Sequence, residues 1–104
     1  MYRILAIEDD PIIQEVFKKA LEREGYECLV APRISLGIAA AVKEKPDLIL
    51  LDVNLPDGNG IDACRQLKSD PIVRHIPVVI VTGQTDSVEN RVDGIEAGAD
   101  AYLI

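Results

Sequence analysis

The sequence predicts an α/β domain, a doubly wound parallel sheet of five strands in the order 2-1-3-4-5, and three observations predict it. Short apolar runs alternate with segments of helical periodicity along all 104 residues, the pattern of repeated strand–helix–strand units. The runs Ile4-Leu5-Ala6-Ile7, Leu48-Ile49-Leu50-Leu51 and Val78-Val79-Ile80-Val81 are apolar at every position, as strands covered on both faces are. The first and third strands, not neighbours in sequence, both end in acids. Setting them side by side places a switch point between them and yields that order.

Each element carries its own signal. The first strand, Arg3–Ile7, runs into Glu8-Asp9-Asp10, and Asp10 before Pro11 reads as an N-cap and first helical residue. Ile13, Val16, Phe17, Ala20 and Leu21 recur at helical spacing as an inward face, and Gly25 ends that helix. Residues 26–31 read as strand two, with Cys28 a small buried hydrophobe. Residues 35–45 read as helix two, facing inward through Ile38, Ala41 and Val42. Gly37 weakens it by about 1 kcal/mol relative to alanine. Strand three stops at Asp52, and Pro56 with Asp57-Gly58 signals a loop. Residues 61–68 form helix three on Ile61, Cys64 and Leu67, closed by Ser69-Asp70-Pro71. Residues 77–82 are the most β-prone run and end at Thr82, before Gly83. Asp86 and Glu89 have capping-box spacing for a fourth helix, facing inward through Val88, Val92 and Ile95. Residues 101–104 begin strand five.

Composition narrows the function. Apolar residues make up 48% and charged residues 28%, the balance of one soluble domain. A net charge of −7 argues against a grip on nucleic acid or an anionic membrane and suits a cation or a basic partner. Cys28 and Cys64 make neither a disulfide framework nor a zinc spacing, which points to a reducing, cytoplasmic setting. No apolar run approaches a membrane span, and Met1-Tyr2-Arg3 leads straight into a strand rather than a signal peptide.

In the predicted order Glu8, Asp9, Asp52 and Thr82 converge at the carboxyl rim, where open parallel sheets bind ligands. Carboxylates about 5 Å apart repel by roughly 3 kcal/mol per pair at an effective dielectric near 20. Protonation or a cation relieves that, and an all-oxygen donor set suits Mg²⁺ or Mn²⁺. A metal beside a carboxylate that can attack phosphorus is a phosphoryl-acceptor site. From the residues alone, Asn54 also suits a turn, Thr82 a strand end and Tyr102 groove packing. His75, the sole histidine, reads as a surface residue in a polar loop, and Cys64 as core.

Five stretches together carry a family resemblance: Ile4-Leu5-Ala6-Ile7-Glu8-Asp9-Asp10, Pro46-Asp47-Leu48-Ile49-Leu50-Leu51-Asp52, Leu55-Pro56-Asp57-Gly58-Asn59-Gly60, Ile76-Pro77-Val78-Val79-Ile80-Val81-Thr82-Gly83 and Gly94-Ile95-Glu96-Ala97-Gly98-Ala99-Asp100-Ala101-Tyr102-Leu103. In that order they resemble the receiver, or response-regulator, domain of two-component signalling, a flavodoxin-like fold. The resemblance implies Asp52 as phosphoacceptor, Asp9 as direct metal ligand and Glu8 as its partner through water. Asn54 matches the residue whose carbonyl ligates the metal, and Asp10 belongs to the helix cap. Thr82 matches the hydroxyl that contacts the phosphoryl group, Gly83 its small neighbour, and Tyr102 the switch aromatic. The cofactor is Mg²⁺ or Mn²⁺. The implied partners are a sensor histidine kinase or histidine phosphotransfer protein upstream and an output domain or protein downstream.

A metal-dependent aspartyl phosphatase often has a second Asp two residues past its nucleophile. Asn54 stands there, so turnover is not expected. The alternative is a receiver-like interaction module that is not phosphorylated. The family's lysine, three positions after Tyr102, and its fifth helix would both fall beyond Ile104. Residues 1–104 therefore read as one receiver domain with its last strand and final helix truncated. The apolar face around strands one, four and five is then expected to self-associate, as a homodimer would.

Overall fold

The computed structural model describes residues 1–82 and 88–103. In chain order its elements are β1 (Arg3–Ile7), α1 (Pro11–Arg23), β2 (Glu27–Ala31), α2 (Ile34–Glu44), β3 (Leu48–Leu51), β4 (Asn54–Leu55), β5 (Gly58–Asn59), α3 (Gly60–Ser69), β6 (Val78–Val81), α4 (Val88–Glu96) and β7 (Ala101–Leu103). Five parallel strands form one sheet, β2-β1-β3-β6-β7. That is the predicted order once β4 and β5 are set aside. These two pair antiparallel in a small hairpin inside the stretch expected to be plain loop.

Local signals explain where helices begin. Asp10 accepts a hydrogen bond from the Ile12 amide at 2.8 Å, and Pro11 opens α1. Asn59 does the same for α3, accepting from the Ile61 amide at 2.7 Å. Each side chain satisfies an amide that the first helical turn leaves without a partner.

Register fixes which side chains share a face. Leu5, Ile7, Ile49, Leu51, Val78 and Ile80 lie on one face and are fully buried with Ala41, Cys64 and Leu67, and Ala97 is buried beside them. Gly37 does more there than weaken α2: a Cβ on it would come within 2.7 Å of Ile7 Cγ1, so its absence lets helix and strand approach. The other face is only partly covered. α1 packs beside β2, while Leu48, Leu50, Val79 and Val81 stay half-buried and Leu103 is 54% exposed. Burial on both faces therefore holds for β1 but not for β3 and β6, where buried and half-buried positions alternate.

Two inward faces need correction. The α1 stripe has the expected spacing, yet no residue of α1 is buried and Val16 is 58% exposed, because the sheet beside it has no second helix among the described residues. In α4, Val92 and Ile95 point outward and are about half exposed. The residues turned inward are Gly94 and, just past the helix, Ala97. Tyr102 is the reason: its ring carbons Cδ2 and Cε2 lie 2.7 and 2.8 Å from where a Cβ on Gly94 would stand. The Asp86 cap, Gly83, Gln84, the Val88 side chain and Ile104 lie outside the described residues.

Candidate functional site

Ile7, Leu51 and Ile80 are register partners across the three central strands. The chain thus leaves β1 with Glu8, β3 with Asp52 and β6 with Thr82 at one rim. Main-chain bonds hold all three: the Glu8 amide donates to Ala31 O at 2.9 Å, the Asp52 amide to Ile7 O at 3.2 Å and the Thr82 amide to Leu103 O at 2.9 Å. Carboxylate oxygens of Glu8, Asp9 and Asp52 lie within 4.8 Å of one another. Asp9 is exposed, Asp52 half-buried, and Glu8 and Thr82 are buried at 3% and 4% exposure. A cleft of about 320 Å³ joins Glu8, Asp9, Asp10, Ile13, Asp52, Asn54 and Thr82.

Glu8 is the electrostatic anomaly. Its Oε2 is buried with no hydrogen-bond partner among the described residues. Burial pushes its carboxyl up to about 8. A side-chain hydrogen bond to Asp52 and the charges of Asp52, Asp9 and Asp10 push the same way. Without a cation, burial and that repulsion make Glu8 hold its proton to higher pH than a free carboxyl does. A buried carboxyl oxygen lacking a donor, among three converging hard oxygen donors, fits a small divalent cation.

The structure brings together Glu8, Asp9, Asp52, Asn54 and Thr82. Asp10 both caps α1 and reaches the cleft wall. Tyr102 stands apart from the acids, on the face it shares with Ile80 and against Gly94. His75 is exposed, and Cys64 is fully buried. Three supporting residues escaped sequence reasoning. The Gln14 side-chain amide donates to the Glu8 carbonyl at 2.6 Å. Gly60 is buried against the Asp52 backbone, where any Cβ would overlap the Asp52 carbonyl oxygen. Asp57 accepts from the first two amides of α2. Only Gly60, after Asn59 at a helix start, had a local signal.

Fold and site together define a signalling domain that accepts a phosphoryl group. The chain belongs to the response regulator receiver domain family, whose model matches residues 4–104. It is 42% identical over 100 residues to the phosphate regulon transcriptional regulatory protein PhoB of Pseudomonas aeruginosa, covering 96% of this chain and 43% of that protein. It is 41% identical over 102 residues to the DNA-binding response regulator MtrA of Mycolicibacterium smegmatis, covering 98% of this chain and 43% of that protein. A CheY-like receiver domain protein from Methanospirillum hungatei superposes with a TM-score of 0.90 at 36% identity, over 99% of this chain and 80% of that one. The chain spans less than half the length of these curated relatives. Receiver domains bind Mg²⁺ through acidic residues, and the acid cluster is of that kind. No helix among the described residues is long and apolar enough to cross a membrane.

Proposed function

We propose that Asp52 is the phosphoacceptor of this receiver domain. The observation that carries the proposal is the convergence of Asp52 with Glu8 and Asp9, carboxylate oxygens within 4.8 Å, beside Thr82 and Asn54 in one cleft. The donor is a phosphohistidine on a sensor histidine kinase or a histidine phosphotransfer protein. One Asp52 carboxylate oxygen attacks phosphorus in line, an O–P bond forms, the N–P bond breaks, and the electron pair leaves on the imidazole. Glu8, Asp9, Asp52 and the Asn54 main-chain carbonyl would hold Mg²⁺ or Mn²⁺, which neutralises charge on the phosphoryl oxygens when bound. Thr82 supplies a hydroxyl to the transferred group. Its amide is bonded to the Leu103 carbonyl, next to Tyr102, and this links the acceptor to the α4–β7 surface that a partner reads.

The domain is a signalling module rather than a turnover enzyme, with Asn54 where an aspartyl phosphatase often has its second acid. The whole protein acts in the cytoplasm. PhoB is named a transcriptional regulator and MtrA a DNA-binding one, so a DNA-binding output domain is the class of downstream partner proposed. The domain itself, acidic as it is, does not carry the DNA contact.

The test is intact mass and peptide mapping after incubation with Mg²⁺ and a small phosphodonor. Wild type gains one phosphoryl group on Asp52, and Asp52→Ala gains none. Modification at His75 or Asp57, or consumption of donor in many-fold excess, overturns the assignment.

A further inference from the structure

The hairpin that follows Asp52 is anchored at three points. At its far end Asn59 caps α3, and the Gly60 amide donates to Val53 O at 2.7 Å. Leu55 packs against the core. The turn between β4 and β5 is held differently. Asp57 lies there and accepts from the Ile34 amide on Oδ1 at 2.8 Å and from the Ser35 amide on Oδ2 at 3.0 Å. These are the first two amides of α2, whose own N-cap, Arg33, makes no side-chain capping bond. An acid 23 positions away in sequence from Ile34 thus does what a local Ser, Thr or Asp usually does. Those same bonds hold the Asp57 carboxyl below its ordinary range, and the positive end of the helix favours its charge. Ile34 completes the seat, with Cδ1 3.2 Å from where a Cβ on Gly58 would stand.

We propose that Asp57 is a positioning residue for the cation and acceptor site: gripping the start of α2 with both carboxylate oxygens, it fixes the hairpin that presents the Asn54 carbonyl beside Asp52. The proposal rests on the assignment of Asn54 as a cation ligand. Asn54 is the first residue of β4, pairs with Asn59 and lines the cleft, so the turn that Asp57 holds is continuous with the cleft wall. With the turn released from α2, the Asn54 carbonyl samples positions that do not converge with Asp9 and Asp52. Such supporting contacts govern metal affinity because ligands must be held in place before the ion arrives.

The experiment measures Mg²⁺ affinity by calorimetry and stability by urea unfolding on the same proteins. Asp57→Ala is expected to weaken Mg²⁺ binding roughly tenfold, as loss of a supporting contact does. Arg33→Asp combined with Asp57→Ala gives α2 a local cap without restoring the tether. Recovered stability with Mg²⁺ binding still weak supports positioning. Binding that recovers together with stability shows that Asp57 only stabilises α2, and overturns the proposal. Asp57→Asn keeps one acceptor oxygen and serves where the alanine variant does not fold. Weaker binding by it supports the proposal, and wild-type affinity overturns it. A wild-type chain that takes up no Mg²⁺ refutes the site itself, a result distinct from a site that binds normally without Asp57.

Discussion

Replacing Glu8 by glutamine tests the electrostatics of the site directly. The Glu8 carboxyl is 3% exposed and is raised from 4.5 to about 8, first by burial and then by Asp52. Below pH 4.5 the group is protonated in both folded and unfolded chains and contributes no difference. Between 4.5 and about 8 the unfolded chain gives up its proton while the folded one keeps it, so stability falls as pH rises. Above that window the penalty is complete. At about 1.4 kcal/mol per unit the shift sets a ceiling near 5 kcal/mol. Asp9 at the rim is exposed, so solvent screens these charges and about 2 kcal/mol is the expected size. Glutamine carries no charge and can donate to Asp52. Glu8→Gln should therefore match wild type near pH 4.5 and exceed it by about 2 kcal/mol at pH 9 in urea unfolding without Mg²⁺. Saturating Mg²⁺ should reverse the order, since the wild-type carboxylate binds the ion better. A variant no more stable than wild type at pH 9 would refute the reasoning.

Two further outcomes follow from packing. A Cβ on Gly60 would overlap the Asp52 carbonyl oxygen and lie 3.0 Å from Val53 Cα, backbone atoms that cannot turn aside. Gly60→Ala should cost about 3 kcal/mol and cut phosphodonor uptake more than tenfold. A melting temperature unchanged from wild type would sink the claim. The open sheet face borders a cleft of about 290 Å³ lined by Ile13, Phe17, Leu50 and Val81, among others, with Val16 and Leu103 exposed nearby. Exposed apolar surface of this kind drives association. The 104-residue chain should sediment faster as its concentration rises, and Val16→Lys with Leu103→Lys should return it to monomer. A wild-type monomer at every concentration contradicts this.

Legibility in the sequence followed the range of the interactions. β1, α1 and β3 were bounded by sharp local signals, an acid cluster, an Asp-Pro cap and a four-residue apolar run, and they lie where those signals put them. Strand order was legible because the acids after β1 and β3 had to meet. α4 misled because periodicity weighs side chains by hydrophobicity, while its seat is set by what is missing at Gly94. The β4–β5 hairpin has two residues per strand, too short for any alternation to register. The Asp57 tether and the Gln14 bond to the Glu8 carbonyl join residues on different elements, so no local pattern announces them. The acids themselves were legible, but the lack of a donor for Glu8 Oε2 depends on what packs around it.

The proposed switch has a short physical path in this structure. Thr82 lines the acid cleft and is tied to β7 through its main chain, whose amide is bonded to Leu103 O at 2.9 Å. Tyr102, next along β7, shares a face with Ile80 and rests its ring over Gly94. If Thr82 is the phosphoryl contact proposed above, its shift toward that group would pull on the strand that carries the ring. The ring would in turn change how closely α4 can lie, because a glycine seat offers no side chain to absorb the change. Val92 and Ile95, exposed on the outside of α4, would register that change at the surface. Their outward placement, at odds with simple periodicity, would put two apolar side chains of α4 where the proposed partner surface lies.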